Sequence, residues 1–356
     1  MQRASHRLLP DGRRLHLQHG PIDLIVTAEG DPEAVRAAYG RAVARFETLL
    51  DELVSEVPGL RTPLEPVGPC PLSGAVARRM WAAAAPFRAG FVTPMAAVAG
   101  AVAETVLGAI MGDQSLTGRA DAQQEFLLPP AGGGWEGGDG AHASPALQAS
   151  TPPRPSPVQG RGGDRGGPHG LTRAAVNNGG DIALWMALDA PPWRIGVVVD
   201  PARPASPGAL DIGPDSPVRG LATSGRHGRS LSRGIADSVT VAAPTAAAAD
   251  VAATLIGNAV DLPGHPVVTR RPARALQPDS DLGDRPVTVA VGALAAAEVA
   301  QALDAGGAVA ADCVDRGLIV GAVLVLAGRV RLVGALDLVA GPAALPEPVT
   351  EDALHA

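Results

Sequence analysis

The sequence predicts an α+β protein with antiparallel strands in neighbouring groups and paired helices between them. Three observations support this class. Short apolar runs, punctuated by Gly, Pro and Asn, occur side by side instead of alternating one-for-one with helices. Other segments carry apolar residues at spacings of three and four, the period of a half-buried helix. Hydrophobic residues make up 46 % of the 356, ample for a core.

In chain order, residues 15–18 and 22–27 read as two strands around a Gly20-Pro21 turn. Asp31 followed by Pro32 marks a helix start, because Asp accepts from free N–H groups and Pro at the first position forfeits no hydrogen bond. Val35, Ala38, Ala42, Phe46, Leu49, Leu53 and Val57 then line one face, and Pro58-Gly59 ends the helix. Residues 74–84 and 94–111 predict two more helices. Residues 113–172 hold 13 Gly and 8 Pro in 60 positions. Such a stretch buries too little apolar surface to offset its ordering entropy, so a disordered insertion is expected. Beyond it, residues 174–177, 182–187 and 193–200 predict strands, with Asn178-Gly179 as a hairpin signal. Strands follow at 218–223 and 238–243, then a helix at 245–260 and a strand at 287–291. A helix at 294–305 leads to a strand at 318–326, which turns back through 329–336. The expected organisation is one domain over 1–340, interrupted by 113–172 and followed by a flexible tail at 341–356.

Composition narrows the function. All 29 basic residues are arginine; the chain has no lysine. That excludes Schiff-base and PLP attachment, the Walker A loop and the protein kinases, each of which needs a lysine amine. The net charge of −7 gives no basic field for nucleic acid, so none is expected as a partner. Cys70 and Cys313 stand far apart in no C-x-x-C pattern and read as small buried apolar residues. Residues 1–17 lack the apolar core of an export signal. The apolar runs 94–112, broken by Glu104, and 317–328 fall short of the ~20 residues of a membrane span. A cytoplasmic chain with no membrane partner is expected.

Three polar patterns carry chemistry. Asp250 and Thr254 sit four apart on a helix, so carboxylate and hydroxyl share one face. Two oxygen donors one turn apart suit a hard cation such as Mg²⁺. The same pair also suits an Asp favoured near a helix start and a Thr bonding back to its own helix. Asn177, Asn178, Gly179, Gly180 and Asp181 form a polar turn whose N–H groups can cradle an anion; a plain hairpin turn reads the same way. Residues 220–230 form a second small-residue loop carrying Arg226, His227 and Arg229. It echoes a phosphate loop in spacing but has arginine for the lysine and His227 for the hydroxyl residue. Other features read as structural. His16 and His19 fall on opposite faces of a strand, and residues 279–284 read as an acidic turn. Arg78-Arg79 read as a solvated helix face, and Ser224 lies in no G-x-S-x-G context.

The order of these patterns resembles the ApbE-like flavin transferases. Residues 175–182 resemble their N-x-G-G-D-I turn, residues 221–225 their A-T-S-G loop, and residues 238–254 their S-V-T-V…A-D-A-L-A-T segment. Residues 15–24 and 93–102 bring the chain nearer a functionally uncharacterised bacterial and archaeal family of the same superfamily. The resemblance spans most of residues 14–336. It implies a T-fold-like architecture of antiparallel sheets with paired helices, and a superfamily chemistry that splits FAD with Mg²⁺ and attaches FMN to a protein acceptor. Carried over, Asp250, Thr254 and the Val98 carbonyl are metal ligands. Asn177, Asn178, Gly179, Gly180, Asp181, Thr223, Ser224 and Gly225 line the flavin or nucleotide pocket. Two departures stand out. The transferases' lysine beside the counterpart of Gly100 is Ala99, and their H-I-I-D-P-x-T-G segment is reduced to residues 234–237, leaving Asp237 as the expected base. The alternative expectation is a non-catalytic flavin- or nucleotide-binding protein on the same fold.

Overall fold

A computed structural model of the protein describes residues 3–112, 170–199, 208–336 and 338–339. The first strands are β1 (Ser5–Leu8), β2 (Leu15–His19) and β3 (Ile22–Gly30). Four helices follow: α1 (Pro32–Ser55), α2 (Val57–Leu60), α3 (Ala75–Ala84) and α4 (Val98–Met111), the last preceded by a 3₁₀ turn at Pro94–Ala97. Strands β4 (Leu171–Asn178), β5 (Asp181–Met186), β6 (Trp193–Gly196), β7 (Ala209–Ile212), β8 (Gly220–Ser224) and β9 (Ser238–Ala243) lead to α5 (Ala246–Ala259). The chain closes with β10 (Val268–Pro272), β11 (Pro286–Val291), α6 (Ala296–Asp315), β12 (Gly321–Leu326), β13 (Arg329–Gly334) and β14 (Leu338–Val339).

Nine strands form one sheet in the order β1-β2-β3-β4-β5-β8-β9-β12-β13, with antiparallel neighbours throughout. The order exposes a repeat. Two adjacent strands, β2 and β3, precede helices and are followed by β4 and β5; β8 and β9 precede α5 and α6 and are followed by β12 and β13. The two halves meet where β5 pairs β8 through only Ile182 with Leu221 and Ala183 with Gly220.

Local sequence explains the elements that position the site. In β2 and β3 every second residue (Leu15, Leu17, Ile22, Leu24, Val26) is buried under the helices, as period-two alternation requires. His19 lies on that buried face while His16 points the other way and bonds Asp23 at 2.9 Å. The β4–β5 turn is two residues long, with Asn178 paired to Asp181. Gly179 and Gly180 take φ of +66° and +114°, conformations a hairpin of this length needs and side chains disfavour. Strands β9 and β12 are buried at every position; β12 is accordingly free of polar side chains, whereas β9 buries Ser238 and Thr240 alongside its valines. Helices α5 and α6 cover one face there, and the small sheet β14-β7-β6 covers the other.

The Ala- and Gly-rich helices α4 and α5 pack closely. A Cβ on Gly100 would overlap the Ala246 backbone. The two helices also cap each other. Glu104 of α4 accepts from Ala247 N–H at 2.8 Å, and Asp250 of α5 accepts from Gly100 N–H at 3.0 Å. Each carboxylate thus satisfies an N–H that its neighbour's first turn leaves without an intrahelical partner.

Several expectations need correction. Leu171 and Thr172 belong to β4, and Leu171 is fully buried, because their pairing with β3 outweighs the Gly-rich context before them. The rest of the expected insertion, 113–169, and the expected tail, 341–356, lie outside the described residues. Asp31 holds the cap position of α1, but its side chain makes no cap hydrogen bond. Helix α6 continues to Asp315 because Ala302, Leu303, Gly306, Ala310 and Cys313 extend its buried stripe. Arg79 is not solvated: it is 12 % exposed and pairs with Glu104 at 2.7 Å. Among the described residues, Pro94–Met111 is long and apolar enough by length and composition to cross a membrane; 56 % of it is buried inside the fold.

Candidate functional site

The polar patterns of the sequence converge where the two halves of the sheet join. The β4–β5 turn comes from the first half, and β8 with α5 from the second. Thr223 N–H of β8 donates to Asp181 Oδ1 at 3.3 Å, tying strand and turn together. Asn178 Nδ2 donates to the Ala99 carbonyl at 3.2 Å, which brings the turn to the start of α4. Asn177 Oδ1 accepts from Gly180 N–H at 2.9 Å and rigidifies the turn from within. That bond commits one of the N–H groups expected to cradle an anion. The space beside Gly179 and Gly180 is open: a Cβ on either would meet no atom within 4 Å.

Asp250 projects from α5 to the same point. It accepts from Gly100, and the Ala99 N–H also stabilises its charge. Burial nevertheless dominates and pushes the Asp250 carboxyl up to about 7. Asp181 is raised well above the ordinary carboxylate range, first by burial and then by the charge of Asp250. Both side chains keep partial exposure. Strong desolvation with an opening to solvent describes a recess. Among the described residues no arginine or histidine pairs with either carboxylate. Two like charges, of which one raises the pKa of the other, favour a shared proton or a bound cation.

Thr254 lies one turn beyond Asp250 on α5 and is half-buried. Val98 is the first residue of α4, so its carbonyl enters the helix ladder and retains one lone pair for a ligand. Thr223 Oγ1 shares a 2.9 Å hydrogen bond with Thr240 Oγ1, and the Ser224 hydroxyl lies over Gly257 of α5. The metal ligands expected from the sequence, Asp250, Thr254 and the Val98 carbonyl, offer oxygen atoms, as does Asp181, and oxygen is the donor type Mg²⁺ takes. Among the described residues no group of three His, Cys, Asp or Glu side chains forms a metal cluster, so any cation here draws on the hydroxyl and carbonyl too.

Asp237, the expected base, is differently placed. It is 7 % exposed. Its Oδ1 accepts from Arg226 Nε at 2.8 Å and Nη2 at 2.6 Å, and its Oδ2 from Ala327 N–H at 2.6 Å. His227 Nε2 stands 3.5 Å from Oδ1. With both oxygens committed, the geometry makes Asp237 a clamp between the loop after β8 and the β12–β13 turn. Gly225 permits this approach: at φ +149°, a Cβ there would overlap the Asp237 carbonyl.

With this geometry in view, comparison with known proteins places the chain. A protein-family profile described as AbpE bacteria matches residues 6–120 and 165–332. The chain belongs to this family. The AbpE bacteria match covers every site residue named above and leaves out residues 121–164. A UPF0280 protein of Methanothrix thermoacetophila is 39 % identical over 92 residues, which is 26 % of this chain and 37 % of that protein. The aligned part thus spans little more than a third of that relative's length.

Sequence reasoning missed three parts of the site. The proximity of Asp181 to Asp250 depends on sheet order. The capping of Asp250 by the start of α4 depends on helix crossing. The commitment of Asp237 to Arg226 could have been suspected from the Gly-Arg-His-Gly run beside a carboxylate, but not the third contact from Ala327.

Proposed function

We propose that this protein binds the diphosphate of a flavin dinucleotide, or of a related dinucleotide, through a divalent cation held at Asp250, Thr254 and Asp181. The reading rests on one observation above all. Two desolvated, part-exposed carboxylates interact beside an open glycine turn, and neither is paired with a cationic side chain among the described residues. The likeness of the motifs to ApbE-like transferases agrees with it and makes FMN transfer to a protein acceptor the nearest known chemistry.

In this reading Asp250 is positioned by the N–H groups of Ala99 and Gly100, and Asp181 by Thr223 N–H. Thr254 and the second lone pair of the Val98 carbonyl complete the oxygen donors. Gly179 and Gly180 leave room for the phosphates, and Asn177, Asn178, Thr223, Ser224 and Gly225 line the approach. When bound, Mg²⁺ supplies charge stabilisation to a departing nucleotide. One observation favours a second reading, a binding protein without turnover: Asp237, the expected base, is nearly buried and already accepts from Arg226 and from Ala327 N–H.

Titration of the purified protein with FAD, with and without Mg²⁺, followed by product analysis, tests both. Mg²⁺-dependent release of AMP or FMN, lost in Asp250→Ala, supports transfer chemistry. Mg²⁺-dependent binding without products supports the binding protein. Absence of FAD affinity with Mg²⁺ present contradicts both.

A further inference from the structure

The four residues after Ser224 are not needed to explain the cation site, yet they form a defined structure. Gly225, Arg226, His227 and Gly228 make a tight turn closed by Gly228 N–H to the Gly225 carbonyl at 3.1 Å. Arg226 N–H anchors it to the Ala236 carbonyl at 2.9 Å. From beneath, Asp237 fixes the Arg226 guanidinium through Nε and Nη2. Among the described residues Arg226 Nη1 has no partner. The Arg226 and His227 side chains are each 29 % exposed. Arg229 follows, exposed and without a partner among the described residues.

This basic turn directly continues β8, whose Thr223 bonds Asp181. Arg226 of the basic turn thus follows Thr223, the strand residue that holds Asp181, by only three residues along the chain. A carboxylate that only needed neutralising would pair with Arg226; instead Asp181 and Asp250 are left without cations while Arg226 is oriented by a different carboxylate. That separation suits a ligand carrying its own anion and bringing a cation with it. A guanidinium held by its Nε edge presents a fixed donor for a phosphate oxygen.

We propose that the 225–228 turn is a phosphate clamp, in which Arg226 Nη1 and the His227 imidazole bind the phosphate of a ligand whose cation rests on Asp250 and Thr254. Asp237 is then a positioning residue for the clamp. The proposal builds on the cation-bound diphosphate reading above and extends it to Arg226 and His227, which follow the motif that ends at Gly225.

Calorimetric titration with inorganic pyrophosphate in excess Mg²⁺ tests it. The wild-type protein is expected to bind. His227→Ala and Arg226→Lys, the second keeping a charge beside Asp237, are each expected to weaken binding about tenfold. Arg194→Ala, which removes an exposed arginine from β6, should leave it unchanged. Unfolding curves of the variants establish that each is folded. A wild-type protein that does not bind Mg²⁺-pyrophosphate, or folded variants that bind it as tightly, would overturn the clamp. So would an equal loss in Arg194→Ala, which would mark bulk charge as the cause. Pyrophosphate binding that is lost in the variants, beside a failure to bind FAD, would sustain the clamp and overturn only the flavin reading.

Discussion

Asp250 and Asp237 lie close in sequence and in opposite chemical surroundings. Asp237 is surrounded by donors: an arginine fork on one oxygen and a backbone N–H on the other. Asp250 has backbone donors but no cation, and it faces a second carboxylate, Asp181. A buried carboxylate with a full set of partners holds structure together. One that is desolvated against a like charge costs stability unless a ligand supplies the missing charge. The contrast places Asp237 in the scaffold and leaves Asp250 as the carboxylate proposed to meet a ligand, whereas the sequence offered Asp237 as a base and Asp250 as a metal ligand.

Mutation should separate the two most sharply at Asp237. Asp237→Ala leaves the half-buried Arg226 guanidinium and the Ala327 N–H without an acceptor, and should destabilise the fold by about 3 kcal/mol in urea unfolding. If it is neutral, the clamp described here is not a support of the fold. A smaller contrast holds between two glycines of the site. Gly100→Ala forces a Cβ into the Ala246 backbone and should cost about 2 kcal/mol while parting α4 from α5. Gly179→Ala meets open space, so only its φ of +66° opposes it, at about 1 kcal/mol. Equal costs at the two positions would mean that the close helix crossing does not fix the recess.

The sequence made most of the scaffold legible because its signals were local. Alternation in β2 and β3, the Pro32 start of α1 and the glycine turn after Asn178 each depend on neighbours within a few residues. Strands β1, β7, β10 and β14 were missed because they are short or edge pieces stabilised by a partner strand more than by their own pattern. Residues 250 and 254 could be paired from helix period alone. Asp181 could not be set against Asp250 that way, since their meeting follows from the pairing of β5 with β8. Nor could the satisfaction of Asp237, which depends on Ala327 reaching back from a later hairpin. Local patterns thus gave the candidate donors, while tertiary contacts decided which of them are spoken for.

The pH dependence of stability follows from the unsatisfied pair. Unfolded Asp250 releases its proton near its ordinary value of 3.8, whereas the folded group holds it up to about 7. Between those values the folded state binds more protons, so this group's contribution to stability is complete below 3.8 and is lost as pH rises through 7. A divalent cation reverses the trend, because it needs the carboxylates ionised and competes with the proton.

Thermal unfolding with and without Mg²⁺, at pH 5.5 and pH 8, on the wild type and Asp250→Asn, tests the central claim most directly. At a Mg²⁺ concentration tenfold above its Kd the wild type should gain about 1.4 kcal/mol, or a few degrees in Tm, at pH 8. The gain should be smaller at pH 5.5. Without Mg²⁺, Asp250→Asn should be more stable than the wild type at pH 8 by about 1–2 kcal/mol, because it removes a desolvated charge, and Mg²⁺ should not stabilise it further. A wild type indifferent to Mg²⁺ at both pH values, or an Asp250→Asn variant stabilised as much as the wild type, would contradict the account.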